Sequence, residues 1–170
     1  DVIIDMTGIK LEQVGPNQVR VTGAKGSPQP PTLKVVGGYP SGFAGEGRLV
    51  YTWPDALPKA RKVYAQPVLN GMEHGIAVMW QKCPHLGCRV PSCESSQWFE
   101  CPCHGSQYNR TGEKKAGPAP RGMDRFGVEI SGDNVVINTG LVLNGPAIGV
   151  NTTGQEAEGP HCVTGGGGHG

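Results

Sequence analysis

Cys83-Pro84-His85-Leu86-Gly87-Cys88 and, after a gap of twelve residues, Cys101-Pro102-Cys103-His104-Gly105-Ser106 decide the reading of this chain. Each box offers one Cys–His pair as metal ligands, C-x-H in the first and C-x-x-H in the second, and one further cysteine. Spacings this short need neither helical nor strand periodicity, because a single loop can present both donors to one centre. Zinc accepts the same nitrogen and sulfur ligands. A two-iron, two-sulfide cluster accepts them too, with thiolates on one iron and imidazoles on the other. Neutral imidazoles in place of two charged thiolates make such a cluster easier to reduce, in a range of roughly −150 to +300 mV. Zinc would account for four ligands but not for the loop residues around them. The donor set points to electron transfer.

Taken together, CPHLGC…CPCHGSQYN resembles the Rieske proteins of quinol-oxidising cytochrome bc and cytochrome bf complexes. The family box is usually CTHLGC, so Pro84 is a departure, one that stiffens the loop and removes a backbone N–H. The resemblance implies that Cys83 and Cys101 hold the inner iron and His85 and His104 the outer iron of a 2Fe–2S cluster. It also implies a disulfide between Cys88 and Cys103, a pair that Rieske ferredoxins and oxygenases typically lack. By the same likeness, Ser106 donates a hydrogen bond to a bridging sulfide and Tyr108 to the Cys83 sulfur. Such bonds stabilise the more negative, reduced cluster and raise its potential. Gly117-Pro118-Ala119-Pro120 matches the proline-rich loop that covers the cluster, a stiff lid with few unpaired backbone donors. The detailed resemblance runs from about Gln81 to Phe126.

The function it implies is that of an electron-transfer subunit, taking an electron and a proton from a quinol and passing the electron to a cytochrome. His85 and His104 would face the quinol through their distal ring nitrogens, with Leu86 packed at the same docking face. Reduction of the cluster favours protonated imidazoles, so the two transfers are coupled. The implied partners are a cytochrome b-type subunit with bound quinol and a cytochrome c-type or f-type acceptor. The implied location is the extracytoplasmic side of an energy-transducing membrane: periplasm, outer cell face or lumen. Two other readings share the boxes, the small Rieske subunit of arsenite oxidase and a Rieske ferredoxin serving an oxygenase. Ser106 and Tyr108 favour the quinol reading over the first; Cys88 and Cys103 favour it over the second.

At 170 residues the chain suits one domain with a buried core. Glycine (28) and proline (15) make up about a quarter of it without a short period, which means many turns. A formal charge of +1 gives no sign of nucleic-acid binding. The short basic clusters at 59–62 and 114–115 read as solvated faces. Alternating or β-branched runs occur at 18–22, 48–53, 62–69, 76–82, 97–100, 125–130 and 134–138, bounded by turn residues. Ser131-Gly132-Asp133-Asn134 reads as a hairpin turn, while 11–15 and 54–60 read as loops or single helical turns. The expectation is an all-β protein: an antiparallel sandwich or partial barrel base with a small cluster-binding subdomain inserted near 81–121. Residues 159–170 read as a flexible tail.

Cys93 and Cys162 fall outside the family pattern. An even remainder in an oxidising compartment suggests a second disulfide, the alternative being two separately used thiols. His161-Cys162…His169 has poor spacing for a second metal site. His74 reads as an exposed turn residue. Asn109-Arg110-Thr111 and Asn151-Thr152-Thr153 match N-x-[ST], a pattern frequent by chance. No run of eighteen apolar residues spans a membrane and no signal peptide begins the chain. The expectation is a soluble portion joined to a membrane complex through an anchor removed or missing here.

Overall fold

The computed structural model describes residues 2–15, 18–22, 32–36, 46–49, 56–73, 77–131 and 134–163, the first four segments and residues 131, 134 and 135 through their backbone alone. The elements are β1 (Val2–Gly15), β2 (Gln18–Thr22), β3 (Thr32–Val36), β4 (Glu46–Leu49), α1 (Ala56–Ala60) and α2 (Gln66–Met72), then β5 (Ala77–Trp80), β6 (Phe99–Glu100), β7 (Gln107–Tyr108), β8 (Lys114–Ala116), β9 (Arg125–Ser131) and β10 (Asn134–Leu143).

Seven strands form the base, in the order β2-β3-β10-β9-β5-β1-β4. The long β1 pairs with β5 through Val2–Asp5, with β4 through Met6–Lys10 and with β2 through Lys10–Gly15. That last pairing closes the ladder on itself, so the base is barrel-like. Its pairings are antiparallel except β3 with β10, which run parallel. The chain leaves the base after Trp80 and returns at Arg125, where Met79 pairs with Arg125. The neck is clamped by Trp80 N–H donating to the Asp124 carbonyl at 2.7 Å. Between these points lies the second sheet, β6-β7-β8. The protein is mostly β with two sheets, as the sequence pattern leads one to expect.

Two stretches depart from expectation. Residues 62–69 form a turn and the start of α2 rather than a strand. Pro67 sits in the first helical turn, where its missing N–H costs no hydrogen bond. Ala60, Tyr64, Val68, Leu69 and Met72 recur at helical spacing and pack together. Residues 11–15 are strand, held by register to β2 with Leu11 opposite Val21. Residues 54–60 do contain the short α1. Of the expected strand at 48–53, Arg48 and Leu49 lie in β4; the remainder is outside the described residues, as are His74 and the two central residues of the 131–134 turn. Ser131 and Asn134 face each other in register across that turn.

A second apolar cluster, Met79, Cys83, Val90, Phe99, Cys101, Tyr108, Ala119 and Met123, runs from the base into the small sheet. It seats both free thiols.

Candidate metal centre

Two six-residue loops carry the boxes, and one backbone device closes both. In the first, Cys83 N–H donates to the Cys88 carbonyl at 2.7 Å and Gly87 N–H to the Cys83 carbonyl at 2.9 Å. In the second, Cys101 N–H donates to Ser106 at 2.8 Å and Gly105 N–H to Cys101 at 3.0 Å. Gly87 and Gly105 both take positive φ, +84° and +75°, a region that disfavours side chains. Each loop turns its first cysteine inward. Cys83 and Cys101 are 3% and 1% exposed, and both are free thiols.

The outward side carries the imidazoles. His85 is half-buried and His104 exposed; their rings stand edge to face, centroids 4.9 Å apart. Leu86 beside them is 70% exposed. A groove lined by Trp80, Lys82, Pro84, Leu86 and the Arg121–Asp124 pair opens at His85. Cys88 and Cys103 form a disulfide that ties loop to loop.

The buried hydroxyls sit against the thiols. Tyr108 has no exposed surface, and its hydroxyl lies 3.2 Å from Cys83 Sγ. Burial, reinforced by the hydrogen bond and charge of Cys83, pushes the phenol far above its ordinary range. The phenol therefore keeps its proton, which it can donate to the sulfur once Cys83 is a thiolate. Ser106 Oγ accepts the Ala119 N–H at 3.1 Å, which leaves its own proton to donate elsewhere. That bond fastens the 117–120 loop over the second box. Gly117, Pro118 and Pro120 are exposed and only Ala119 packs inward. Burial raises the Cys101 thiol, opposed by the backbone N–H groups of Cys103 and His104 and aided by the Cys83 thiol. The backbone donors aimed at one of these two adjacent buried sulfurs offset only part of that cost, so with no metal bound the balance favours the thiol. Two inner sulfurs and two outer imidazoles fit the N/S donor set of a mixed-ligand 2Fe–2S cluster.

Around this centre lies structure that motif reading did not reveal. Residues 146–163 run back over the small sheet. Thr152 N–H donates to Glu113 at 2.9 Å, Gln155 accepts the Arg110 N–H at 2.7 Å, and Glu158 pairs with Arg110 at 2.8 Å. Lys115, read as solvated, pairs with Glu156 and lies over the Trp98 ring. Residues 159–163, expected in a flexible tail, are docked: Cys162 forms with Cys93 the second disulfide that the cysteine count suggested, and Val163 N–H donates to Glu100 at 2.8 Å. His169 lies outside the described residues. Asn109 is buried, with its amide on Glu113 and its carbonyl oxygen capping Thr111 and Glu113 N–H groups, so its N-x-[ST] match is a turn device. The turn itself is the one expected after the second box, and the Asn-x-x-Gly spacing of residues 109–112 marks it in the sequence. Among the described residues no helix is long and apolar enough to cross a membrane.

The family model "Rieske [2Fe-2S] domain" matches residues 52–138, half of the chain. A second model, "Acyclic terpene utilisation family protein AtuA", matches residues 1–83, slightly less than half. The chain is 49% identical over 53 residues to the cytochrome b6-f complex iron-sulfur subunit of Synechococcus sp. (strain JA-3-3Ab), 31% of each chain. It is 46% identical over 56 residues to the same subunit of Prochlorococcus marinus (strain MIT 9303), 33% of this chain and 32% of that one. The match thus spans about a third of the length of these relatives. A solved structure, the plasma membrane Rieske protein PetC3 of Synechocystis PCC 6803, is 34% identical, with 36% of this chain and 63% of that one covered at a TM-score of 0.33. The chain belongs to the Rieske [2Fe-2S] family: it is an iron–sulfur electron-transfer protein related to the iron–sulfur subunits of cytochrome b6-f complexes.

Proposed function

We propose that this chain is the iron–sulfur subunit of a quinol-oxidising membrane complex, working on the extracytoplasmic side. It takes an electron and a proton from a quinol at a cytochrome b-type subunit and passes the electron to a cytochrome of the c or f type. Cys83 and Cys101 would hold one iron of the cluster and His85 and His104 the other. The cluster, when bound, supplies one-electron redox chemistry within hydrogen-bonding reach of the surface.

The observation that carries this reading is the exposed tip formed by the His85–His104 ring pair with Leu86 beside it. A quinol hydroxyl hydrogen-bonds to a distal imidazole nitrogen there, and that nitrogen holds the proton. Leu86 packs against the quinol ring, since an apolar side chain this exposed gains contact only when a partner covers it. The groove beside His85 gives the ring an approach. Inside, the Tyr108 hydroxyl lies against the Cys83 sulfur, and an O–H donated there, with a second from Ser106 to the cluster, would raise the potential towards that needed for quinol oxidation. The Cys88–Cys103 and Cys93–Cys162 bonds suit an oxidising compartment.

Protein-film voltammetry of the cluster-loaded chain across pH tests the proposal. A positive potential that falls as pH rises above neutrality supports quinol coupling at His85 and His104. A negative potential, flat across neutral pH, overturns it in favour of a ferredoxin role.

A further inference from the structure

The backbone device that closes the two ligand loops occurs a third time. In Cys93-Glu94-Ser95-Ser96-Gln97-Trp98, Cys93 N–H donates to the Trp98 carbonyl at 2.7 Å and Gln97 N–H to the Cys93 carbonyl at 2.9 Å. Its fifth residue again takes positive φ, +60° at Gln97, without the glycine of the other two loops. Cys93 stands where Cys83 and Cys101 stand, first in the loop and 1% exposed.

Its surroundings are those of a ligand set. The Sγ atoms of Cys93 and Cys162 and a carboxylate oxygen of Glu100 all lie within 4.8 Å of one another. Glu100 is 1% exposed and held from three sides: by Ser96 Oγ at 2.6 Å, Val163 N–H at 2.8 Å and His161 Nδ1 at 2.7 Å. Two sulfurs and a carboxylate are donors that tetrahedral zinc takes, at about 2.0–2.3 Å; His161, outside that close trio but bonded to Glu100 through Nδ1, offers the imidazole for a fourth. Such bond lengths set ligands roughly 3.3–3.8 Å apart. Cys93 and Cys162 are now closer, bonded at 2.07 Å. Cys162 is exposed on an arm, so opening that bond lets its sulfur move outward, while Ser96 in the third loop keeps its bond to Glu100.

We infer that Cys93, Glu100, His161 and Cys162 form a second metal site, for zinc or a similar thiophilic divalent ion, masked by the Cys93–Cys162 disulfide. A dithiol reductant unmasks it. The S–S bond breaks, each sulfur gains one electron and one proton, and the dithiol closes to its own disulfide. Zinc then displaces both thiol protons to solvent and binds two thiolates, a Glu100 oxygen and a His161 nitrogen. The same arm thus fastens to the third loop by a disulfide when oxidised and by a metal when reduced. The spacing along the chain hid this site, because two of its donors are reached only by folding residues 159–163 back onto the third loop.

Cluster-loaded protein, with and without prior reduction by a water-soluble phosphine, is incubated with zinc alone and desalted. Zinc is counted by mass spectrometry while visible absorbance monitors the cluster. Reduced protein is expected to gain one zinc per chain with the cluster intact, and the unreduced protein none. Cys162→Ser, treated identically, gains none, and His161→Gln binds at least tenfold more weakly. The reduced wild type already lacks the tether, so Cys162→Ser is compared at equal folding constraint. Absence of uptake on reduction overturns the inference. So does equal uptake by Cys162→Ser, which would place the zinc at Cys88 and Cys103.

Discussion

Glu113 and Arg125, neither with any exposed surface, are joined through one hydroxyl: Tyr64 donates to Glu113 Oε1 at 2.9 Å and accepts from Arg125 Nη2 at 3.0 Å. Arg125 opens β9 of the base, Glu113 precedes β8 of the small sheet, and Tyr64 comes from the turn before α2. One oxygen therefore couples the two sheets to the helical segment. Burial, with Arg125 opposing and Glu113 reinforcing it, raises the Tyr64 phenol far above its ordinary range, so the donor persists at any working pH. Tyr64→Phe keeps the ring and removes both bonds. Chemical denaturation is expected to show a loss of about 1.5–3 kcal/mol, the cost of hydrogen bonds to charged groups in a buried place. A loss below about 0.5 kcal/mol would mean water or neighbouring groups replace the hydroxyl.

Tyr108 should act on the redox centre rather than on folding alone. Tyr108→Phe preserves the ring inside its apolar cluster and deletes the donor to Cys83. A hydrogen bond stronger to the reduced form by about 1.4 kcal/mol corresponds to roughly 59 mV for one electron. The variant's midpoint potential is expected to fall on that order, with Ser106→Ala lowering it further. Voltammetry checks both, and an unchanged potential would reduce Tyr108 to a packing residue.

Acid should loosen the junction between the two sheets. Asp124 accepts both arms of Arg121 at 2.8 Å and the Gly145 N–H at 2.8 Å. Burial alone would raise its carboxyl, but those bonds and the Arg121 charge outweigh it and hold the group below the ordinary carboxylate range. A folded value below the unfolded one, about 3.9, gives stability that is present above pH 4. That stability is lost as pH falls through the folded value. Asp124→Asn is expected to lower the melting temperature at neutral pH and to flatten its fall below pH 4.

Gly117 is the hinge of the proline-rich loop. A Cβ there would lie 2.5 Å from Ser106 Cα and 2.6 Å from the Gly105 carbonyl oxygen, at a φ of +83°. Gly117→Ala must therefore lift the loop from the second box and break the Ala119–Ser106 bond. About 1–3 kcal/mol of stability should be lost. Cluster absorbance should also decay faster on warming, and an unchanged decay would free the loop from any protective role.

The two Cys–His boxes made the cofactor legible, and alternation between turn residues the β class, because both depend on residues a few positions apart. The strands read at 18–22, 125–130 and 134–138 from β-branched alternation between turn residues fall in β2, β9 and β10, the last running on to Leu143. Residues 62–69 were not: Val63, Tyr64, Val68 and Leu69 satisfy either period, and only packing against Ala60 and Met72 selects the helix. Glu113, Arg125 and Tyr64 carried no local signal, since each is an ordinary polar residue until the others surround it.

Sequence by itself determined the chemistry: which sulfurs, imidazoles and hydroxyls stand in each loop, and where glycine and proline force the chain to turn. Tertiary structure alone decided how the C-terminal arm crosses the small sheet and brings His161 and Cys162 to Glu100 and Cys93. The physical reason is range. Short loops close through backbone bonds five residues apart, whereas the arm bridges a sequence separation of 69 residues. Across such a separation the favoured contact depends on every surface folded in between.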